Sequence, residues 1–234
     1  IEFVASDWNV KAMQKRIVMS ATYRQSSHVT TALLHRDPKN QLLARGPRFR
    51  LPAEAIRDNA LFVSGLLGQR LGGPSVRPYQ PAGLWRDVSV SQSVIYKQDR
   101  GEDLYRRSMY TFWKRTCPPP SLSTFDAPDR ETCQIRRSRT NTPLQALVLM
   151  NDPTYVEAAR MLAERVMLEG GESGESKVNH AFRLVLARRS RPAEQRAMLS
   201  LLEDARTRFR SETEKASALI TIGDSERNAK LDPV

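Results

Sequence analysis

The chain has 234 residues, of which 40% are hydrophobic and 27% charged, so it has enough apolar material for a core and is not of the disordered class. Its 37 Lys and Arg against 26 Asp and Glu give a net charge of +11. No apolar stretch approaches the roughly 18 residues of a membrane span, and two cysteines exclude a disulfide-dense scaffold and a four-cysteine zinc site.

Residues 1–140 are predicted to be a basic helical part rich in loops. A first helix is expected to begin at Ser6 or Asp7 and to end near Tyr23, because apolar residues recur at helical spacing after a capping side chain. A second helix is expected from Pro52, which suits a first helical turn, to the glycines at 72 and 73.

The segment after the second helix has no helical period. Residues 74–101 are predicted to be irregular, with a short β-strand or hairpin near 88–95. Residues 103–115 fit a helix and a strand equally, and residues 117–142 are predicted to be loop. This part is therefore expected to contain long irregular segments rich in arginine and proline.

Residues 141–222 are predicted to be a neutral helical part of the same domain. Thr142 and Gln145 fit a capping box with proline at the first helical position, and Asp152 with Pro153 repeats the device. Two more helices are expected around 177–188 and 192–210, and residues 223–234 as the truncated start of a final helix. The predicted fold class is mainly α.

The basic excess lies entirely in the front part. Residues 1–140 hold 23 Lys and Arg against 12 Asp and Glu, whereas residues 141–234 hold 14 of each, and arginine outnumbers lysine 29 to 8. A guanidinium group is a planar donor that suits carboxylates and main-chain carbonyls. We therefore expect the front arginines to brace loops inside the molecule.

Two carboxylates in the densest polar stretch, Asp126 and Asp129, are the candidate catalytic residues. They could act as the acid and base of glycosidic hydrolysis. Alternatively, they accept hydrogen bonds from neighbouring arginines and lock the loop before Thr142. The second interpretation is favoured. The candidate binding surface is formed by the neighbouring cations with one indole: Arg106, Arg107, Trp113, Arg136, Arg137 and Arg139.

Nucleic-acid binding is the main rival function. Residues 100–115 alternate cations with aromatic side chains, the pattern that holds single strands by phosphate contact and base stacking. The same spacing serves a packed core with arginines at its rim, and no nucleic-acid recognition motif accompanies it. Nucleic acid is therefore an unfavoured partner.

No cofactor is expected in this stretch. Cys117 precedes three prolines, so no haem-attachment motif forms, and His28, His35 and His180 are too scattered for a metal site. Cys117 and Cys133, 16 positions apart, could form a disulfide that stabilises by roughly 3 kcal/mol or be two unrelated thiols. The second interpretation is favoured.

Several long motifs in order along residues 1–222 resemble one family. They are the segments SATYRQSS from Ser20, RDNA from Arg57, GPSV from Gly73, PYQP from Pro78, YRRSMYTFWKR from Tyr105, TFDAP from Thr124, RTNTPLQAL from Arg139 and NDP from Asn151. Together they resemble the planctomycete-specific domain, family 1553 of unknown function, found C-terminally in cytochrome-associated multidomain proteins.

The resemblance implies an architecture and no catalytic residues. It implies an exported parent protein, in the periplasm or cell envelope, with a cytochrome-c-like haem module upstream and a fragment here that lacks both ends of the domain. The expected function is a binding or scaffold domain that positions the upstream domains of the same chain, with polysaccharide as a partner. The alternatives are a hydrolytic enzyme and a nucleic-acid-binding domain.

Overall fold

The computed structural model describes residues 1–90 and 92–232. The chain is divided into two compact units, Ile1–Arg50 and Leu51–Val234. Most of the regular structure is α-helical, and within the described ranges β-pairing is limited to isolated bridges such as Val76 with Thr111. The mainly α prediction is confirmed.

The first unit holds three helices, α1 (Glu2–Ala5), α2 (Val10–Met19) and α3 (Thr31–Arg36). The N-cap of α2 is Asn9, whose Oδ1 accepts from the amide of Ala12 at 2.9 Å, so the helix begins later than expected. It also ends earlier, at Met19, and its predicted apolar face is exposed.

A polar turn after α3 is the buried part of the first unit. The carboxylate of Asp37 accepts from the amides of Gln41 and Leu42 at 2.8 and 2.7 Å, and the buried Arg45 donates to the carbonyl of Pro38 at 2.9 Å. Burial acts to raise the pKa of Asp37, but the amides and Arg45 together lower it below its usual value.

Helix α4 (Ala53–Ser64) and helix α8 (Pro153–Glu169) pack together as the centre of the second unit. Pro52 is the N-cap of α4, and Gly65, at a positive φ of 82°, is its C-cap, so the helix ends before the expected glycines at 72 and 73. One buried cluster contains Ala53, Leu122 and Tyr155, and the other contains Leu61 and Leu104.

Six more helices complete the second unit within the described residues. They are α5 (Leu84–Asp87), α6 (Pro120–Thr124), α7 (Pro143–Asn151), α9 (Gly174–Leu186), α10 (Pro192–Ser211) and α11 (Thr213–Ile220). Helix α8 also packs against α7 and α9, and α9 against α10. The capping box of Thr142 and Gln145 is present, and Asp152 caps α8 as expected.

The irregular region between α4 and α7 differs from the prediction in three places. Residues 88–90 and 92–95 form no strand, and Ser91 lies outside the described residues. The ambiguous segment 103–115 contains parts of two 3₁₀-helices, Gly101–Tyr105 and Ser108–Tyr110. The predicted loop 117–142 contains α6, which begins at a proline that suits a first turn.

The predicted final helix is absent from residues 223–232, and Pro233 and Val234 lie outside the described residues. The main-chain amides of Ser225 and Asn228 bond to side chains of α8, so they do not serve a helical ladder. The division of the chain by composition at residues 140 and 222 stays a prediction.

Candidate binding surface

Arginine side chains in the interior brace the coil of the second unit. Arg57 is 3% exposed and donates to the carbonyl oxygens of Leu104 at 2.6 Å and Arg106 at 2.8 Å. Arg165 donates from α8 to the carbonyl of Val63 in α4 at 3.1 Å. These bonds satisfy carbonyls that have no helical or sheet partner. Arg57 has the role expected of the front arginines, whereas Arg165 lies outside the front part.

Arg106 lies in this interior group and not on a surface. It is 1% exposed, donates to the carbonyls of Pro74 at 2.7 Å and Gly72, and its guanidinium lies 3.9 Å from the centre of the Tyr110 ring. The predicted place of Arg106 on the binding surface is therefore corrected. Arg107 is half-buried, and its carbonyl accepts from the amide of Tyr110.

The aromatic rings of residues 100–115 pack within the second unit. The hydroxyl of Tyr105 donates to Glu157 at 2.8 Å, and the Phe112 ring lies 5.7 Å from the Trp85 ring. Trp113 is half-buried against the Ala53 cluster, and its indole donates to the carbonyl of Asp129 at 2.9 Å. Rings held in this way support the core interpretation of the aromatic spacing. Nucleic-acid binding stays an unfavoured prediction.

Asp126 fastens the two ends of the loop between α6 and α7. Its carboxylate accepts from the amide of Thr140 at 2.7 Å and from the Thr140 hydroxyl at 2.9 Å. Asp129 is exposed, and its Oδ1 accepts from the amide of Glu131 at 3.0 Å, a bond within its own turn. The contacts of Asp126 fasten the loop through Thr140, whereas that of Asp129 is local to its turn. The hydrogen bonds from arginines that the favoured interpretation expected stay a prediction, as does the hydrolytic role.

Gln145 completes the anchor at the start of α7. This buried side chain donates to the carbonyl of Thr124 at 3.0 Å and to the Thr140 hydroxyl at 2.9 Å, and its oxygen accepts from the amide of Thr142. The loop that carries the arginines is therefore fixed at the root of α7, while residues 131–140 remain exposed.

We expect Gln145→Ala to lower the free energy of unfolding by about 2 kcal/mol, because it leaves the Thr124 carbonyl without its donor and removes half of the capping box. Urea denaturation followed by circular dichroism measures the change. Gln195→Ala, on α10, is the control and should change it by less than about 0.5 kcal/mol. Equal losses in the two variants would contradict the anchoring role.

Four consecutive residues of the fixed loop line an open cavity of about 310 Å³: Arg136, Arg137, Ser138 and Arg139. Arg137 also donates to Glu54 of α4 at 2.7 Å. The guanidinium of Arg130, on the same loop, lies 4.4 Å from the centre of the Trp113 ring. The structure thus brings together Arg136, Arg137 and Arg139 in one cavity and keeps Arg106 apart from them.

The two cysteines are free thiols. Cys117 is buried and precedes α6, whereas Cys133 is exposed in the loop between α6 and α7. Burial raises the pKa of Cys117, although Lys114 opposes the shift. A disulfide between them has no support in the structure. Within residues 1–90 and 92–232, no group of His, Cys, Asp or Glu side chains is arranged to hold a metal ion, and no helix combines the length and apolar character needed to cross a membrane.

A second polar arrangement, centred on Glu157 of α8, was missed from the sequence. Glu157 is 1% exposed, and its Oε1 accepts from the hydroxyl of Tyr105 and from the amide and hydroxyl of Ser225. Burial, and then the hydrogen bond to Glu157, raises the pKa of Tyr105. A signal was present: Glu157, Arg160 and Glu164 recur at helical spacing on one face of α8.

Comparisons with known proteins identify a family and no further relative. No curated protein and no solved structure matches the chain. The sequence model of one protein family, PSD1 proteins of unknown function (DUF1553), matches residues 1–202. This range includes α4, α8 and the loop that carries Arg136, Arg137 and Arg139. The chain therefore belongs to the PSD1 (DUF1553) family.

Proposed function

We propose that this domain is a binding domain that holds acidic polysaccharide in the cavity lined by Arg136, Arg137, Ser138 and Arg139. The single observation that carries the proposal is the concentration of exposed guanidinium groups in one cavity of about 310 Å³. Arginine forks bind carboxylate and sulfate oxygens with two parallel hydrogen bonds, which makes acidic sugars a suitable ligand class.

The loop is preorganised for such a ligand. Asp126 and Gln145 fix its root through Thr140, and Glu54 fixes Arg137 against α4. A loop that is already ordered loses less conformational entropy when it binds, so more of the contact energy appears as affinity. Trp113 is half-buried and has the guanidinium of Arg130 over its ring, so the loop also carries one cation held against an aromatic face.

The wider context is also a proposal. The family resemblance supports a parent protein that is exported to the periplasm or cell envelope and carries a cytochrome-c-like haem module upstream. In that setting the domain would act as a scaffold that keeps the upstream domains of its own chain close to a polymer. The proposed function needs no catalytic residue in this domain.

The test compares the affinity of the 234-residue chain and its variants for oligogalacturonate, a polymer of uronic acid, by isothermal titration calorimetry. We expect the double variant R136Q/R139Q to bind at least tenfold more weakly, because each guanidinium provides a charge-assisted bidentate contact. Binding should weaken with added salt. A neutral oligosaccharide of the same length should bind weakly to both proteins.

The matched control is R196Q/R210Q, which removes the same charge from exposed positions of α10 and should leave the affinity within about twofold. An equal loss in the control would attribute binding to net charge and contradict the cavity. Tighter binding of single-stranded DNA than of oligogalacturonate, lost on Trp113→Ala, would replace the proposal with nucleic-acid binding.

A further inference from the structure

The segment Gly223–Asn228, called the strap below, lies across the polar face of α8. Three of its main-chain amides donate to side chains, whereas the carbonyl of Asn228 accepts from the amide of Leu231 at 3.1 Å. The amide of Asp224 donates to the Tyr79 hydroxyl at 2.7 Å, and the amide of Ser225 donates to Glu157 at 2.7 Å. Further along, the amide of Asn228 donates to Glu164 at 3.2 Å.

Four side chains bond to the strap, and Tyr105 supports them by donating to Glu157. Together they are called the track: Tyr79, Tyr105, Glu157, Arg160 and Glu164. Arg160 donates to the carbonyl of Ser225 at 2.9 Å and to its hydroxyl at 2.5 Å, and it is tied to Glu164 at 2.8 Å. All five belong to the part of the chain that the family model matches, whereas the strap lies beyond its end at residue 202.

Contacts with the track and with Gly101 also restrict which residue types fit at positions 223–225 of the strap. A Cβ at Gly223 would lie 2.2 Å from Cδ of Glu157, and the φ of 103° at this residue disfavours any other residue type. Asp224 accepts from the amide of Gly101 at 2.7 Å, and the Ser225 hydroxyl donates to Glu157 at 2.7 Å. The sequence Gly-Asp-Ser therefore meets three separate requirements.

Glu157 is a buried carboxylate that the strap covers. Its Oε2 has no hydrogen-bond partner within the described residues, and the Nε of Arg160 has none either. A buried charge without its full set of partners is costly, and this cost disappears when water reaches the carboxylate. Lifting the strap exposes polar groups that water can solvate, so hydrogen bonds to water replace those that are lost.

We propose that the track is a binding site for a bent peptide segment of sequence Gly-Asp-Ser, which the chain fills with its own strap. A covalently attached segment competes at a high effective concentration, so a free peptide binds only when the strap has been displaced. The site is separate from the arginine cavity, and its occupant is recognised by main-chain bonds to side chains together with one glycine, one acid and one hydroxyl.

The test uses Gly223→Ala in the 234-residue chain, with Gly65→Ala as the matched control. Both glycines have a positive φ, but a Cβ at Gly65 meets nothing within 4 Å, so the control measures the backbone effect alone. In Gly223→Ala, hydrogen exchange at the amides of Gly101 and Ser225 should accelerate about tenfold or more. In Gly65→Ala the exchange rate of these two amides should stay within about twofold of the wild-type rate.

A fluorescent peptide of residues 221–230 then reports on the emptied track by fluorescence polarisation. It should bind Gly223→Ala at least tenfold more tightly than it binds the wild-type chain, and a peptide carrying Gly223→Ala and Ser225→Ala should not compete. Continued protection of the strap amides in Gly223→Ala, or equal binding of the two peptides, would overturn the proposal. Ser225→Ala, which removes one hydroxyl, should give a smaller acceleration and keeps the test valid if the glycine variant does not fold.

Discussion

Replacing Arg57 by methionine is expected to lower the free energy of unfolding by about 3–5 kcal/mol. The guanidinium supplies donors to the carbonyls of Leu104 and Arg106 and to the hydroxyl of Ser108 at 3.3 Å. Methionine fills a similar volume without donors, so the two carbonyls remain buried and unpaired. The change is measured as the shift in the urea midpoint at constant slope.

Arg70→Met is the matched control for this prediction. Arg70 pairs with Asp103 of the same segment, but the two side chains are 53% and 42% exposed. An ion pair so open to water contributes about 0–1 kcal/mol, and the control should lose no more than that. Similar losses in the two variants would show that residues 101–110 do not depend on Arg57.

A lysine at position 57 should recover only part of the loss. Burial lowers the pKa of Arg57, an effect that nearby Asp58 opposes, yet a guanidinium keeps its charge in proteins under all ordinary conditions. A lysine ammonium is a compact group that cannot reach both carbonyls in one plane and loses its proton more readily when buried. Arg57→Lys should therefore fall between the wild type and Arg57→Met in urea stability.

Glu157→Ala is the second substitution with a large expected effect, and it should lower the free energy of unfolding by about 2–4 kcal/mol. The substitution removes the acceptor of the Tyr105 hydroxyl, a buried group, and two of the bonds that hold the strap. The strap donors can turn to water, whereas the Tyr105 hydroxyl cannot without opening the core. Thermal unfolding followed by circular dichroism should show a single transition with a lower midpoint temperature than that of the wild type.

Glu169→Ala tests whether the loss belongs to the buried site or to any acid of α8. Glu169 lies at the end of the same helix, is 48% exposed and pairs with Arg165 at 3.0 Å. The substitution Glu169→Ala should lower the free energy of unfolding by less than about 1 kcal/mol. If the two variants unfold at the same temperature, the bonds of Glu157 add nothing beyond those of a surface acid.

The two sites differ in how much of each could be predicted. The arginine loop is visible in the sequence because Arg136, Arg137 and Arg139 are near neighbours, and neighbours in a loop stay together in space. Arg106 was assigned to the same surface because its local pattern is equally basic. Only the packing of the 3₁₀ segments onto α4 places it in the interior, beneath carbonyls of residues more than 30 positions away.

The sequence by itself determined the mainly α class and the starts of α7 and α8, because the signals for these two starts are local. Thr142 with Gln145 and Asp152 with Pro153 act within three residues of their own amides, so α7 and α8 begin where expected. The tertiary structure alone decided which charged side chains are buried. The bond from Arg57 to Leu104 spans 47 residues and that from Ser225 to Glu157 spans 68. Such bonds depend on how distant segments pack, and no periodicity or cap within one segment encodes that.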